Sequence, residues 1–152
     1  MNIRIGIDPG IHGALACLTD STCQVVDMPV MIATGKRFQV NAAELGKIIK
    51  KWSEGNSCIA YLERVSAMPL QGVSSMFSFG VSYGIVQGVL GALQIPVVLA
   101  TPTTWKKRAG LLGKEKDAAR TLAQQLFPQV ELSRKKDIGR AEALLIAKYG
   151  GG

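Results

Sequence analysis

The sequence predicts an α/β fold on three observations. Its first residues, Ile3-Arg4-Ile5-Gly6-Ile7-Asp8, alternate apolar with polar or small side chains, as a half-buried strand does. Ser57 to Glu63 is apolar at nearly every position from Cys58 to Leu62, the pattern of a central parallel strand covered on both faces. Between them Leu45, Ile48, Ile49 and Trp52 follow the i, i+3, i+4, i+7 stripe of an amphipathic helix. The 152 residues favour one domain, 1–152, large enough to bury a real core. With 47% hydrophobic and 19% charged residues the sequence is that of a globular chain and not of a disordered one.

The first strand ends at Pro9-Gly10, so Asp8 sits on a rigid element next to a turn. Burying a carboxylate there is costly unless it is paired or bound to a metal, and Gly6, two residues earlier on the same face, leaves room for something to approach. A turn-capping aspartate in Asp-Pro-Gly is the alternative. Ala14 to Thr19 and Gln24 to Met28 then read as second and third strands of an antiparallel meander, joined by Asp20-Ser21-Thr22. His12, in the first hairpin, reads as structural or solvent-facing. Pro29 to Gln39, with Gly35-Lys36-Arg37, reads as an exposed basic loop.

A helix follows with Asn41 as N-cap, Glu44 completing a capping box, and Val40 and Leu45 as a hydrophobic staple; Gly55 closes it. The strand from Ser57 ends in Glu63, a second acid at the carboxyl end of a buried strand, where open α/β sheets place their sites.

Val73 to Leu93 is helical and carries Gly80, Gly84, Gly88 and Gly91 as a small-residue seam. No charge occurs between Arg64 and Lys106, but Ser74, Ser75, Ser78, Ser82 and Gln87 interrupt the run and Pro96 ends it, so no membrane contact is expected. An uncharged helix must bury both sides, which points to a dimer interface, with burial in the monomer core as the alternative. Phe77 and Phe79 suit either the core or stacking on an unpaired base.

Pro96 to Ala100 is a short strand. Thr101-Pro102 starts a helix through Trp105-Lys106-Lys107, with the threonine as N-cap and the proline at the first helical position. Another helix is expected from Lys114 to Phe127, stopped by Pro128, with Ala119, Leu122, Ala123 and Leu126 inward and Lys114, Lys116 and Arg120 outside. The last runs from Ile138 to Tyr149. There Glu142 shares a stripe with Ile138, Leu145, Ile146 and Tyr149, so it is at least partly buried and needs a metal or a cation to stay ionised. Asp137, just before this helix, suits an N-cap or a ligand equally well.

The net charge is +7, with a pI near 9.5. From Lys106 to Lys136 nine basic residues (Lys106, Lys107, Arg108, Lys114, Lys116, Arg120, Arg134, Lys135 and Lys136) face three acids, so most of the excess lies in one segment. Such clustering is a footprint for phosphate backbones or anionic lipid, and nucleic acid is the better fit. Cys17, Cys23 and Cys58 form an odd set without Cys-x-x-Cys spacing and with a single histidine, so they read as reduced core cysteines of a cytosolic protein. No basic segment followed by an apolar run opens the chain, and no signal peptide is expected. Asp8, Glu63 and Glu142, together with Asp137, are acids on separate elements without a histidine or cysteine nucleophile pattern. Oxygen-only donors suit hard cations such as Mg²⁺. Two such ions roughly 3.5 to 4 Å apart can activate a water and stabilise the leaving oxygen of a phosphodiester.

Four motifs carry a resemblance. Gly-Ile-Asp-Pro-Gly at Gly6 to Gly10, Leu-Glu-Arg-Val at Leu62 to Val65, Thr-Pro-x-x-Trp-Lys at Thr101 to Lys106 and Gly-Arg-Ala-Glu-Ala at Gly139 to Ala143 resemble the RuvC family of Holliday-junction resolvases. The Met-Phe-Ser-Phe-Gly run from Met76 and the short C-terminus are similar to its compact bacteriophage-type members. The match covers nearly the whole chain in the same order. It implies a ribonuclease H-like fold with a mixed five-stranded sheet, the first three strands antiparallel, flanked by helices. It also implies a homodimer that grips branched DNA, especially four-way junctions, and Mg²⁺-dependent hydrolysis, with Mn²⁺ able to substitute, in the cytoplasm of a bacterial or phage-infected cell.

Residue by residue, the resemblance makes Asp8, Glu63 and Glu142 the metal-binding acids and sets Lys106 and Lys116 near the scissile phosphate. The family commonly has another acid or a histidine one turn before the final carboxylate; here Asp137 stands slightly shifted from that place. Lys107, Arg108, Lys114, Arg134, Lys135 and Lys136 complete the expected DNA contacts, and Phe77 or Phe79 the base stacking. The rivals are a broader nuclease for Y-shaped or flapped DNA, a noncatalytic junction-binding protein of the same fold and, weaker still, an actin-like ATPase half, which one domain alone could not close over a nucleotide.

Overall fold

The computed structural model describes residues 1–66 and 72–151. Among these described residues seven strands and five helices follow in the order β1 (Asn2–Asp8), β2 (Ala14–Leu18), β3 (Cys23–Asp27), β4 (Val30–Thr34), β5 (Arg37–Val40), α1 (Ala42–Ser53), β6 (Ser57–Glu63), α2 (Val73–Ala92), β7 (Val97–Ala100), α3 (Pro102–Arg108), α4 (Ala118–Leu126) and α5 (Ile138–Tyr149), with a 3-10 turn at Lys135–Asp137 before α5. The main sheet has the order β3-β2-β1-β6-β7. β1, β2 and β3 form the expected antiparallel meander, and β6 lies between β1 and β7, parallel to both. This is the ribonuclease H-like mixed sheet that the resemblance implied.

Strand alternation divides the core into two layers. Ile3, Ile5 and Ile7 point to one face, where Leu45, Ile49 and Trp52 of α1 and Val86 and Leu90 of α2 cover them. On the other face α5 lies across β1 and β2, packing Ala141, Leu144, Leu145 and Ala147 against Ala14, Ala16 and Leu18 with Trp105 and Ala123 alongside. The side-chain oxygen of Asn41 accepts from the Glu44 N–H at 3.1 Å, fixing the start of α1. Glu44's own carboxylate meets Lys47 at 3.1 Å, so the pairing within the helix replaces the return half of the expected capping box. Thr101 caps α3 in the same way, and Pro102 follows it as expected.

Two further expectations need correction. Residues 30–40 are not a loop but a β-hairpin, β4 paired with β5 as a separate two-stranded sheet turning at Gly35-Lys36. All five residues of β4 are exposed, so no buried face left an alternating pattern to read. α4 starts at Ala118 rather than Lys114, because Gly113 adopts a left-handed φ of 78° and residues after it form turns. Of the two readings of the α2 glycine seam, burial in the monomer core fails: β-carbons at Gly80, Gly84, Gly88 and Gly91 would meet nothing within 4 Å. By length and composition alone, α2 is also apolar enough to cross a membrane.

Candidate active site

The topology brings three acids to one end of the sheet. Asp8 closes β1 and Glu63 closes β6; the two strands are parallel neighbours with Ile7 opposite Leu62, so the acids leave the sheet side by side. Glu142, in the second turn of α5, joins them because α5 crosses β1 on a glycine. A β-carbon at Gly6 would collide with the backbone of Ala143 and stand 2.7 Å from the β-carbon of Ala147. At the start of α5, Gly139 allows equally close approach: its β-carbon would lie 2.7 Å from the His12 carbonyl oxygen and 3.5 Å from an Asp8 carboxylate oxygen.

Asp8, Glu63 and Glu142 share an open cleft of about 620 Å³ with Lys106, Lys114 and Lys116, and with His12, Phe79 and Gly139. A backbone bond from the Gly13 N–H to the Gly10 carbonyl (3.1 Å) closes the turn after β1, so that closure does not depend on the Asp8 carboxylate. Burial pushes Asp8 well above the usual carboxylate range, and the charges of Glu142 and Glu63 push it further, against Lys116 and Lys106. Glu142 is raised by burial and by Glu63, with Lys106 and Lys116 opposing. Glu63 is raised by burial, while the Trp105 hydrogen bond and the same two lysines hold it down.

Four acids elsewhere behave in the opposite way. Asp27, Asp117 and Asp137 are each lowered, first of all by a hydrogen-bonded arginine, and Glu131 by Ser133. The cleft acids are thus the ones whose anions the protein leaves undercompensated. Among the described residues no three His, Cys, Asp or Glu side chains converge closely enough to hold an ion as they stand. The donor chemistry nonetheless fits a hard divalent cation: three crowded carboxylates whose mutual repulsion a cation would relieve.

The other expected residues separate. Asp137 is 1% exposed and turns away from the cleft, taking 2.8 and 3.2 Å bonds from the Arg134 guanidinium and a 2.9 Å bond from the Arg134 backbone N–H. It closes the 3-10 turn and makes no side-chain cap on α5. Arg134 is engaged by that pair, and Arg108 donates to the carbonyls of Tyr149 and Gly150 at the end of α5 (both 3.1 Å). Lys107, Lys135 and Lys136 are exposed. Of the two phenylalanines, Phe79 lines the cleft and stacks on Tyr83 at 6.2 Å between ring centroids. Phe77 is 73% exposed and faces a second groove of about 520 Å³ between the β4–β5 hairpin and α2, which has Arg37 but no acid in its lining.

Two contacts escaped the sequence reading. The Trp105 indole N–H donates to Glu63 Oε2 at 2.8 Å, and the Tyr83 hydroxyl donates to the Glu63 backbone carbonyl at 3.2 Å. Nothing local announces them; a tryptophan beside the basic run was the only signal for the first.

No protein-family model matches the chain. A 92-residue stretch, 59% of the chain, is 38% identical to the chloroplastic Holliday junction resolvase MOC1 of Chlamydomonas reinhardtii, but spans only 10% of that protein. Among solved structures, RuvC of Thermus thermophilus superposes with a TM-score of 0.65 at 16% identity, covering 95% of this chain and 90% of that one. The same protein in complex with a Holliday junction substrate gives a TM-score of 0.67 at 16% identity over 97% and 90%. The fold is therefore that of RuvC over nearly the whole chain, and the sequence likeness to a resolvase extends over part of it.

Proposed function

We propose that this chain, which has the RuvC fold, is a divalent-metal-dependent, structure-selective DNA endonuclease that resolves four-way junctions by paired nicks as a homodimer. The observation that carries the reading is the meeting of Asp8, Glu63 and Glu142 with Lys106, Lys114 and Lys116 in one cleft. In this reading Asp8, Glu63 and Glu142 hold Mg²⁺, or Mn²⁺ in its place. The bound metal supplies activation of a water and stabilisation of the leaving oxygen.

The chain's own groups do the rest. Lys106 and Lys116 meet the scissile phosphate and balance charge that develops on it. Lys114, with the exposed Lys107, Lys135 and Lys136, adds backbone contacts that fix position without reading sequence. Phe79 forms an apolar wall on which a splayed base can stack. Asp137 is left out of the ligand set, because Arg134 already occupies both its oxygens. Likeness to a resolvase over part of the chain and to a junction-bound RuvC in fold supports branched DNA as the substrate.

The homodimer is supported by α2, where only Ser82, Val86 and Leu90 are buried and the glycine seam lies open. Two copies related by a two-fold axis match the symmetry of a four-way junction. The proposed enzyme acts in the cytoplasm of a bacterial or phage-infected cell. Cleavage of labelled four-way, Y-shaped, flapped and linear DNA tests the reading: cutting confined to the four-way form is expected. Equal cutting of Y and flap forms would make it a general branch nuclease, and binding without cutting a noncatalytic junction protein.

A further inference from the structure

We infer that Trp105 is a positioning residue of the metal site: its indole N–H fixes one oxygen of Glu63 and leaves the other for the cation. The inference rests on the metal-dependent reading above and adds a residue to it.

Trp105 is fully buried and Glu63 nearly so, and the 2.8 Å bond between them joins α3 to the end of β6. Both partners are anchored independently. The ring hangs from a helix whose start is held by the Thr101 side chain, which accepts from the Thr104 N–H at 3.2 Å. The Glu63 backbone pairs with Ala100 of β7 and receives the Tyr83 hydroxyl.

The chemistry of the donor is the point. An arginine in this place would fix the carboxylate but also neutralise it, as Arg134 does to Asp137. An indole N–H only donates and carries no charge, so it orients the anion without competing with a cation. Partners of this kind behind a metal ligand set its orientation, and their loss typically costs about 10- to 100-fold in metal affinity or activity. The same ring carries the Lys106 ammonium over its face at 5.6 Å, so one side chain orients an acid and a base of the cleft.

The chain has two tryptophans. In a Trp52→Phe background Trp105 is the sole indole, and its emission reports directly on the bond to Glu63. Titration with Mg²⁺ alone, and with Mn²⁺ alone, is expected to change that emission saturably, and Glu63→Gln to abolish the change. In the otherwise wild-type chain, Trp105→Phe keeps a ring for Lys106 but removes the N–H. It is expected to raise the Mg²⁺ concentration for half-maximal nicking about 10-fold or more, with junction affinity unchanged. Emission indifferent to both cations, alongside Mg²⁺-dependent nicking by the wild type, would overturn the inference and leave the nuclease reading standing. Nicking that survives chelator, or no nicking at all, would overturn both.

Discussion

Gly6 and Ala143 touch backbone to backbone, with no space between them for a β-carbon. This one contact sets the geometry of the site, because Asp8 lies two residues beyond Gly6 on the same strand face and Glu142 is the neighbour of Ala143. Gly6→Ala would have to push α5 off β1, at a cost of about 1–3 kcal/mol or more. A lower midpoint in urea unfolding is expected, together with loss of metal-dependent activity; an unchanged midpoint would contradict the contact.

The raised acids predict an unusual pH response. Asp8, Glu63 and Glu142 have folded-state values above their unfolded ones, so without metal their contribution is complete below the ordinary carboxylate range and is lost as pH rises through the raised values. Asp27, Asp117, Glu131 and Asp137 act in the opposite sense at lower pH, and a difference between two proteins cancels them. Metal-free Asp8→Asn should therefore melt above the wild type at neutral pH, by ~2–4 °C for each kcal/mol of repulsion removed. The gap should close on acidification, and Mg²⁺ should raise the wild type more than the variant. Thermal melts from about pH 5 to about pH 8 check all three.

Asp137 separates a structural acid from a ligand. Asp137→Asn breaks the ion pair with Arg134 and should lower the melting temperature by a few degrees. The Mg²⁺ concentration for half-maximal nicking should stay within about twofold, against the 10- to 100-fold typical when even a supporting residue of a metal site is lost. A large shift in Mg²⁺ dependence would return Asp137 to the ligand set.

The lysines should divide by role. If Lys114 contacts the backbone as proposed, Lys114→Ala should weaken junction and duplex binding alike and reduce the salt slope by about one. If Lys106 acts where charge develops, as proposed, Lys106→Ala should lose nicking far more than binding. Filter binding across salt concentrations, beside single-turnover nicking, distinguishes them.

Sequence patterning made most of this architecture legible, and each exception has its own physical cause. The isoleucines of β1, the Asn41 cap and the Thr101-Pro102 start are local signals, written in adjacent residues, and the structure follows them. The β4–β5 hairpin left no trace because exposed strands need no alternation. The start of α4 was misplaced because Lys114 to Asp117 would suit a helix, and only Gly113's left-handed backbone turns the chain there. In the cleft, Asp8 and Glu63 were readable from the ends of their strands and Glu142 from its place on the apolar stripe of α5. The bond from Trp105 to Glu63 spans 42 positions, and no local pattern encodes it. Asp137 was ambiguous because its partner, Arg134, is close in sequence but was counted among DNA contacts.

The open face of α2 gives a clean test of assembly. Gly84 and Gly88 have space for a side chain within one protomer, so Gly84→Leu and Gly88→Leu should fold with unchanged or higher stability. If copies pair through this face, both variants should sediment as monomers where the wild type sediments as a dimer, and paired nicking should give way to single nicks. Dimers of unchanged affinity would move the interface elsewhere.

The most direct test of the account is to map nicks on a four-way junction labelled in each strand, with Mg²⁺ and with chelator, using Asp8→Asn as control. Symmetric nicks in two opposed strands are expected with Mg²⁺, none with chelator, and binding without nicking by Asp8→Asn. Nicks that persist in chelator, or an Asp8→Asn protein that cuts as well as the wild type, would contradict the account.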